Sequence, residues 1–304
     1  MQFAVNYSPL LADLVHKGIV EVDMFKCPAR PEVIAQAREL RPAYAHFPLM
    51  TTPDLTRPYD GERKAPVEWQ RIDNILATSE TEYINIHLMA RSQDFPEIAL
   101  DSVEQQHIEQ LTESFIKSIE PVTHRYGKEK VIVENNPSDN NTLLRVGYLP
   151  QVIDQVIRKT GVGFLFDVSH AQLAARELDV DPKEYIGGLP TDCIREMHVT
   201  GLDILTENWI NRFEAAGFND SLFHPFSGKL MDHMPLRAED WTFLDWTLSH
   251  IHDGTWSSPD IVTLEYGGIG GVWEIIGEHD VYLNQLPNLF AMVHNQTVSD
   301  AAME

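Results

Sequence analysis

The amino-acid sequence predicts an α/β fold, a (β/α)8 barrel of the TIM type built as a single domain over residues 1–304. Short apolar runs alternate with longer stretches of helical character, which is the pattern of parallel strands joined by crossover helices. Eight such units close naturally into a barrel. No internal repeat, low-complexity tract or linker divides the chain.

The predicted strands are eight runs of five to eight residues, and several of them are apolar almost throughout, as buried parallel strands are. They cover residues 3–7, 19–25, 43–47, 83–88, 130–134, 162–167, 194–199 and 261–266. Helices are predicted between them over residues 103–126, 149–160 and 238–252. Gly161 directly follows the second helix as a C-cap, and Glu239 and Asp240 occupy the first turn of the third. The connection over residues 201–237 is long enough to carry extra helices or a lid.

Composition excludes several classes of protein. The chain has 23 Lys plus Arg against 46 Asp plus Glu, a formal net charge of −23, which argues against binding a phosphate backbone. Hydrophobic residues make up 43% of the chain, so wholesale disorder is excluded. No apolar run approaches the roughly 20 residues of a membrane span, and the N-terminus lacks the basic region of a signal peptide. Two cysteines, Cys27 and Cys193, cannot form a disulfide framework, so a cytoplasmic location is expected.

Metal-capable side chains stand at or just beyond the ends of the predicted strands. Strand ends carry His46, His87, Glu134, Asp167, His198 and Glu265, His170 follows three residues after Asp167, and the long connection, taken as a loop, carries Asp232 and His233. The C-terminal ends of barrel strands converge on the active-site mouth. Each residue alone has an ordinary explanation, such as a helix N-cap for Asp167. Their coincidence across six strands favours a shared site.

The residue types indicate the chemistry of that site. Imidazole with carboxylate suits iron, manganese or zinc, and there is no cysteine cluster for a structural zinc or an iron–sulfur site. Glu134 and Glu265 can each bridge two cations, one oxygen to each. Nine donor residues exceed what one ion uses, so two or three metal ions are expected. One ion held by four residues remains open, with the other residues contacting substrate.

Three motifs in residues 164–201 carry a family resemblance: Asp167-Val-Ser-His170, the stretch from Asp181-Pro182 to Leu189-Pro190, and Glu196-Met-His198-Val-Thr-Gly201. They resemble, in order and spacing, the multinuclear non-haem iron-dependent oxidases of the methanobactin-synthase type, which modify ribosomal peptides and lie within the xylose-isomerase-like TIM-barrel superfamily. Further similar segments are Glu134-Asn-Asn-Pro137, AYAHFP around His46, INIHL around His87, Asp232-His233-Met-Pro235 and the strand ending Glu265-Tyr266. The resemblance covers roughly residues 40–270.

The resemblance implies a metal-dependent oxidoreductase that modifies a peptide, or a small thiol or amide, with O₂. It implies two or three iron ions, with manganese or zinc as alternatives, and leaves room for a separate substrate-recruiting protein. The implied ligands are His46, His87, Glu134, Asp167, His198, Asp232, His233 and Glu265. The sequence departs from the family in four places. His170 stands where the family has Asn, Asp232 and His233 are contiguous, the last strand reads Glu-Tyr-Gly, and the N-terminal Glu-containing strand is replaced by VDMFKCP.

His170 also makes the chain similar to other members of the xylose-isomerase-like superfamily, the ketose epimerases with one divalent ion and endonuclease IV with three zincs. In the epimerase interpretation the ligands are Glu134, Asp167, His198 and Glu265, His170 lies near substrate, and the two glutamates exchange a proton with it. Glu134, Glu265 and His170 are therefore the predicted catalytic residues. A phosphodiester hydrolase is disfavoured by the charge, and a non-enzymatic binding module is the least favoured alternative.

Overall fold

The structure is a computed structural model that describes residues 1–52, 58–136, 142–218 and 224–296, and Pro137 of the quoted motif lies outside them. The strands are β1 (Gln2–Asn6), β2 (Met24–Pro28), β3 (Ala43–His46), β4 (Leu49–Met50), β5 (Tyr59–Asp60), β6 (Ala65–Pro66), β7 (Ile84–His87), β8 (Val131–Glu134), β9 (Gly163–Asp167), β10 (Ile194–Val199), β11 (Gly201–Ile204), β12 (Leu230–Met234) and β13 (Ile261–Leu264). The helices are α1 (Pro9–His16), α2 (Pro31–Arg38), α3 (Trp69–Thr78), α4 (Gln105–Tyr126), α5 (Pro150–Thr160), α6 (Val168–Glu177), α7 (Pro182–Gly187), α8 (Glu207–Ala215), α9 (Ala238–His252), α10 (Gly271–Ile276) and α11 (His279–Val293).

The main sheet has the order of a (β/α)8 barrel. Within the described ranges its strands run β3-β2-β1-β13-β10-β9-β8-β7-β4-β5-β6. The eight strands β1, β2, β3, β7, β8, β9, β10 and β13 pair only in parallel within these ranges. Apart from β3 and β7, each lies beside its successor along the chain, and the last, β13, returns to pair with β1. The predicted fold class is confirmed.

The seam between β3 and β7 is joined by the chain that follows β3. Met50 of β4 pairs in parallel with His87 of β7. One step earlier the Asn85 side chain replaces a backbone partner, accepting from the Phe47 amide at 2.7 Å and donating to the Phe47 carbonyl at 2.9 Å. This arrangement closes the ring of strands and sets His46 and His87, at the ends of β3 and β7, side by side.

Helix α5 shows why the intervening segments are helical. Pro150 lies in its first turn, where no intrahelical N–H is needed, and Gly161 ends it in the left-handed conformation at φ 70°. Its buried residues, Val152, Ile153 and Val156, recur at the spacing of one helix face. The predicted helices over residues 103–126, 149–160 and 238–252 are found as α4, α5 and α9 within two residues at each end. In the part of the chain that the structure describes, no helix combines the length and apolarity of a membrane span.

Strands β8 and β13 are buried at every residue, because the barrel interior covers one face and the helices cover the other. A polar side chain at the end of such a strand leaves the apolar core only at the mouth of the barrel. The strand ends therefore place polar groups together in a buried position.

Two predictions about strands are wrong. The second strand is not at residues 19–25: Gly18, at φ 68°, ends the preceding turn, Ile19 is 49% exposed, and the strand begins only at Met24. The apolar residues before Met24 are packed in a loop, and β2 continues instead through Lys26 and Cys27. Asp232 and His233 are not in a loop, because β12 pairs antiparallel with β11 as a small sheet that extends beyond β10.

Candidate metal centre

All nine side chains predicted from strand ends meet at the mouth of the barrel. Seven come from the main sheet or directly after it, and the β11–β12 sheet supplies two. In chain order they are His46 on β3, His87 on β7, Glu134 on β8, Asp167 on β9, His170 on α6, His198 on β10, Asp232 and His233 on β12, and Glu265 after β13.

The first part of the site is at the β3–β7 seam. The Nε2 atoms of His46 and His87 are 3.3 Å apart, and they lie 3.6 and 3.1 Å from Glu134 Oε2. His87 Nδ1 is 2.8 Å from the Leu49 carbonyl oxygen, which can only accept, so Nδ1 carries the proton. The lone pair of His87 is therefore on Nε2, facing the glutamate.

The second part is formed where β9 runs into α6. Asp167 caps the helix, accepting from the His170 amide at Oδ1 over 2.7 Å, so the ordinary explanation for this residue holds as well. Its other oxygen, Oδ2, lies 3.7 Å from His170 Nε2. His170 Nδ1 donates to the Asn135 carbonyl at 2.8 Å, which leaves Nε2 facing Asp167 and, at 3.1 Å, Asp232 Oδ2.

The third part centres on His198, which is fully buried. Its Nε2 donates to Glu196 Oε1 at 2.9 Å, and the same oxygen accepts from the Tyr44 hydroxyl at 2.7 Å. Nδ1 therefore carries the lone pair, 3.2 Å from Glu265 Oε1 and 3.8 Å from Glu134 Oε1. A second partner that fixes the ring tautomer in this way is characteristic of metal-ligating histidines.

His233 has a strained backbone. Its φ of 59° is in the left-handed region, which costs a non-glycine residue about 1–3 kcal/mol and tends to occur at functional sites. The Trp273 ring lies 4.4 Å from the imidazole, tilted by 49°. His233 Nε2 lies 3.8 Å from Glu265 Oε2, so the strained residue faces the same cluster.

Four buried nitrogen and oxygen atoms that could bind a metal make no hydrogen bond with any described residue. They are Glu134 Oε2, Asp167 Oδ2, His198 Nδ1 and His233 Nδ1. A buried polar atom left unsatisfied costs about 1–3 kcal/mol. Glu134, Asp167 and His198 also lie within clusters of closely spaced carboxylates and imidazoles, where bound cations would satisfy their lone pairs, so these residues fit a metal centre.

Among the described residues, six of the nine candidates form three overlapping groups, each with its donor atoms within 4.8 Å of one another, whereas His87, Asp232 and His233 belong to none of the groups. The groups are His46–Glu134–His198, Glu134–Asp167–His170 and Asp167–His198–Glu265. Nitrogen and oxygen donors without thiolate match the preference of iron, manganese and zinc. The set could hold metal ions, as the sequence predicts.

The pKa values of two site residues, Glu134 and His170, are shifted in opposite directions. Burial alone would raise the pKa of Glu134, but the facing rings of His87, His198 and His46 hold it well below its usual range. Burial would likewise lower the pKa of His170, yet Asp167 and Asp232 raise it to about 10. Metal-free His170 is therefore protonated at neutral pH, and a metal ion would have to displace that proton.

One residue of the site escapes the strand-end argument. Lys26 of β2 is 6% exposed, and its Nζ is ion-paired with Glu265 Oε1. Burial lowers the pKa of the Lys26 ammonium to about 8, while Glu134 and Glu196 favour the charged form. The available signal is a lysine inside the apolar run MFKCP, since a buried lysine is almost always paired. Placing the second strand too early hides it.

A cavity of about 380 Å³ opens above the donors, which is in the range of small-ligand pockets. Its apolar lining includes Tyr7, Ile269 and Trp273. Its polar lining includes Lys26 and four histidines of the site, which are His46, His87, His170 and His233. Arg30 and Glu62 also line it, and Arg30 Nε donates to Glu62 Oε1 at 2.7 Å. The donors can thus be reached by a ligand through this partly apolar cavity.

The imidazoles and carboxylates lie at the C-terminal face of a (β/α)8 barrel, which is where barrel enzymes have their active sites, and they could hold a metal ion. Residues 83–217 match the family model described as "RiPP precursor modification enzyme MbnB/TglH/ChrH", and the predicted resemblance is confirmed. The match covers less than half of the chain. It includes five of the nine candidate residues, His87, Glu134, Asp167, His170 and His198.

No curated protein matches the chain. Among solved structures, it is similar to a "xylose isomerase-like TIM barrel/4-hydroxyphenylpyruvate dioxygenase fusion protein" at 13% identity and a TM-score of 0.45, covering 99% of this chain and 45% of that one. This chain therefore spans less than half the length of the fusion protein. It is also similar to a structure described as "The crystal structure of AsfvAP:AG" at 11% identity and a TM-score of 0.45, covering 96% and 99% of the two chains.

Proposed function

We propose that this chain is a metal-dependent oxidoreductase that holds two or three iron ions and modifies a peptide with O₂ as oxidant. The observation that carries the proposal is the set of buried, unpartnered donor atoms on Glu134, Asp167, His198 and His233. The family match over residues 83–217 supports a peptide precursor as the substrate. The modified group would be a thiol or an amide.

In this proposal the nine converging residues are the metal ligands. The two oxygens of Glu134 face different imidazoles, Oε2 toward His87 and Oε1 toward His170 and His198, as a bridging carboxylate requires. The carbonyls of Leu49 and Asn135 hold the remaining ring protons away from the site.

Iron bound there would supply the redox chemistry with O₂ that side chains alone do not provide. The protein's own groups bind and orient. The partly apolar cavity limits access of water to the donors, and Trp273 holds the ring of His233 beside Glu265. Glu134, Glu265 and His170 are the groups proposed to touch the reacting atoms. A separate protein that recruits the peptide remains part of the proposal.

The first test is metal content. Protein purified anaerobically and reconstituted with iron should carry about two or three ions per chain, as the carboxylate–imidazole set allows. Absence of stoichiometric metal after reconstitution with iron, manganese or zinc would rule out the proposal. His107→Ala is the matched control, because that histidine bonds Ser102 at 2.7 Å and has no contact with the site.

A metal-dependent isomerase is the second candidate, because Asp167, His198 and Glu265 form one donor group and supply three of its four ligands. Turnover of a panel of cysteine-containing peptides, assayed by mass spectrometry in air and under nitrogen, separates the two. The oxidase requires O₂ and iron. Turnover under nitrogen with manganese, on a sugar or a peptide, would favour the isomerase.

A further inference from the structure

We infer that the Lys26 ammonium takes the place of a third metal ion, so that the centre binds two ions. The inference rests on the proposed metal centre and specifies its stoichiometry. It uses a residue that lies outside the matched segment and outside the nine predicted ligands.

The contact that carries the inference is the ion pair between Lys26 Nζ and Glu265 Oε1. The same oxygen is 3.2 Å from His198 Nδ1, in the third donor group. An ammonium on this oxygen occupies the acceptor that a third cation would need. It also repels a cation there, and in a buried site that repulsion is weakly screened.

The residues available in the three donor groups also indicate two metal ions. The first group, His46–Glu134–His198, and the second, Glu134–Asp167–His170, share only Glu134. Its Oε2 lies 3.6 Å from His46 Nε2, and its Oε1 lies 3.6 Å from His170 Nδ1. The third group shares His198 with the first and Asp167 with the second.

Neither of these shared residues has a second free atom with which to bind another ion. His198 Nε2 donates to Glu196, and Asp167 Oδ1 caps α6. Among the members of the three groups, only Glu265 belongs to the third group alone, and Lys26 holds one of its oxygens. Glu265 then serves the centre through Oε2, which faces His233, and does not bridge two ions.

Charge compensation also indicates two metal ions. Within the described residues, the site and its hydrogen-bond partners include five carboxylates, those of Glu134, Asp167, Glu196, Asp232 and Glu265. Lys26 and two divalent ions together carry five positive charges. A third divalent ion would leave two positive charges uncompensated in a buried site, which is costly.

The test counts metal ions in the full-length chain. Wild type, Lys26→Met, Lys26→Arg and the exposed control Lys17→Met are saturated anaerobically with ferrous iron, desalted and analysed by inductively coupled plasma mass spectrometry. We expect two ions per chain in wild type, Lys26→Arg and Lys17→Met. Lys26→Met, which removes the charge and shortens the side chain by one heavy atom, should gain one ion and hold three.

Three ions in wild type, or the same count in wild type and Lys26→Met, would overturn the inference. The wild-type count decides the question even if circular dichroism shows that Lys26→Met does not fold. A wild type that binds no iron would instead refute the proposed metal centre, so the two failures are distinguishable.

Discussion

Glu196 offers the sharpest test of how the site is held together. It is 3% exposed and is not one of the predicted metal ligands. Its carboxylate accepts a hydrogen bond from His198 Nε2 at 2.9 Å. That bond keeps the lone pair on Nδ1, facing Glu134 and Glu265. We predict that Glu196→Gln, which keeps the size of the side chain but removes its charge, weakens metal binding.

The expected magnitude follows from the contact. A hydrogen bond to a charged partner contributes about 1.5–3 kcal/mol, against about 1 kcal/mol for a neutral one. The pair is buried, with side-chain exposures of 0% and 4%, so salt screens it little. Loss of such a ring-orienting partner typically lowers metal affinity about 10–100-fold, or about 1.4–2.8 kcal/mol.

The assay is competition for ferrous iron against a chelator of known affinity, with ¹⁵N NMR of the histidine rings to report the tautomer of His198. Tyr44→Phe is the matched control. It removes the other hydrogen bond to Glu196, at 2.7 Å, and leaves the histidine bond in place, so its effect should be clearly smaller. Wild-type affinity in Glu196→Gln, or an equal loss in Tyr44→Phe, would refute the reasoning.

Three further predictions concern the donors themselves. Glu134→Gln should remove most of the bound metal, since both of its oxygens face imidazoles, whereas His107→Ala should bind as wild type; equal metal content in both would contradict the bridging role. His46→Ala should lose part of the metal rather than only weaken substrate binding, as measured by elemental analysis, and full metal content would remove this residue from the ligand set. Because the pKa of metal-free His170 is raised from 6.5 to about 10, the stability it contributes is complete below about pH 6.5 and is lost as the pH rises through about 10. Chemical denaturation of metal-free wild type and His170→Gln should therefore give a difference in unfolding free energy that shrinks across this pH range, and a constant difference would contradict the assignment.

The sequence predicts most of the barrel because its strands are buried on both faces. Burial on both faces produces apolar runs that end abruptly in a polar residue, as in β8, which reads Val-Ile-Val-Glu and ends at Glu134. The polar residue marks both the strand end and the candidate ligand. For this reason the positions of His46, His87, Glu134 and Asp167 at strand ends could be predicted without a structure.

The same reasoning fails where buried residues lie outside a strand or where a strand is only partly buried. Val20 and Val22 are buried in a loop, so the apolar run there predicts a strand several residues too early. Lys26 is then outside the predicted strand, and its inward position cannot be inferred. Asp232 and His233 are only partly buried, and four of the five residues of β12 are half-buried without alternation, so hydrophobic periodicity gives no signal for it.

Several features of the site are unfavourable for folding. His233 holds a left-handed backbone, the Lys26 ammonium is buried, and Glu134, Asp167 and His198 keep donor atoms without hydrogen bonds. Each costs about 1–3 kcal/mol, whereas well-packed apolar residues at such positions are often neutral or stabilising. The barrel does not need these groups in order to close, since its strands are joined by backbone pairing and by Asn85 at the seam. Four of the seven buried polar atoms without a hydrogen bond in the described residues lie at this one mouth, which indicates that the mouth is maintained for its chemistry and not for stability.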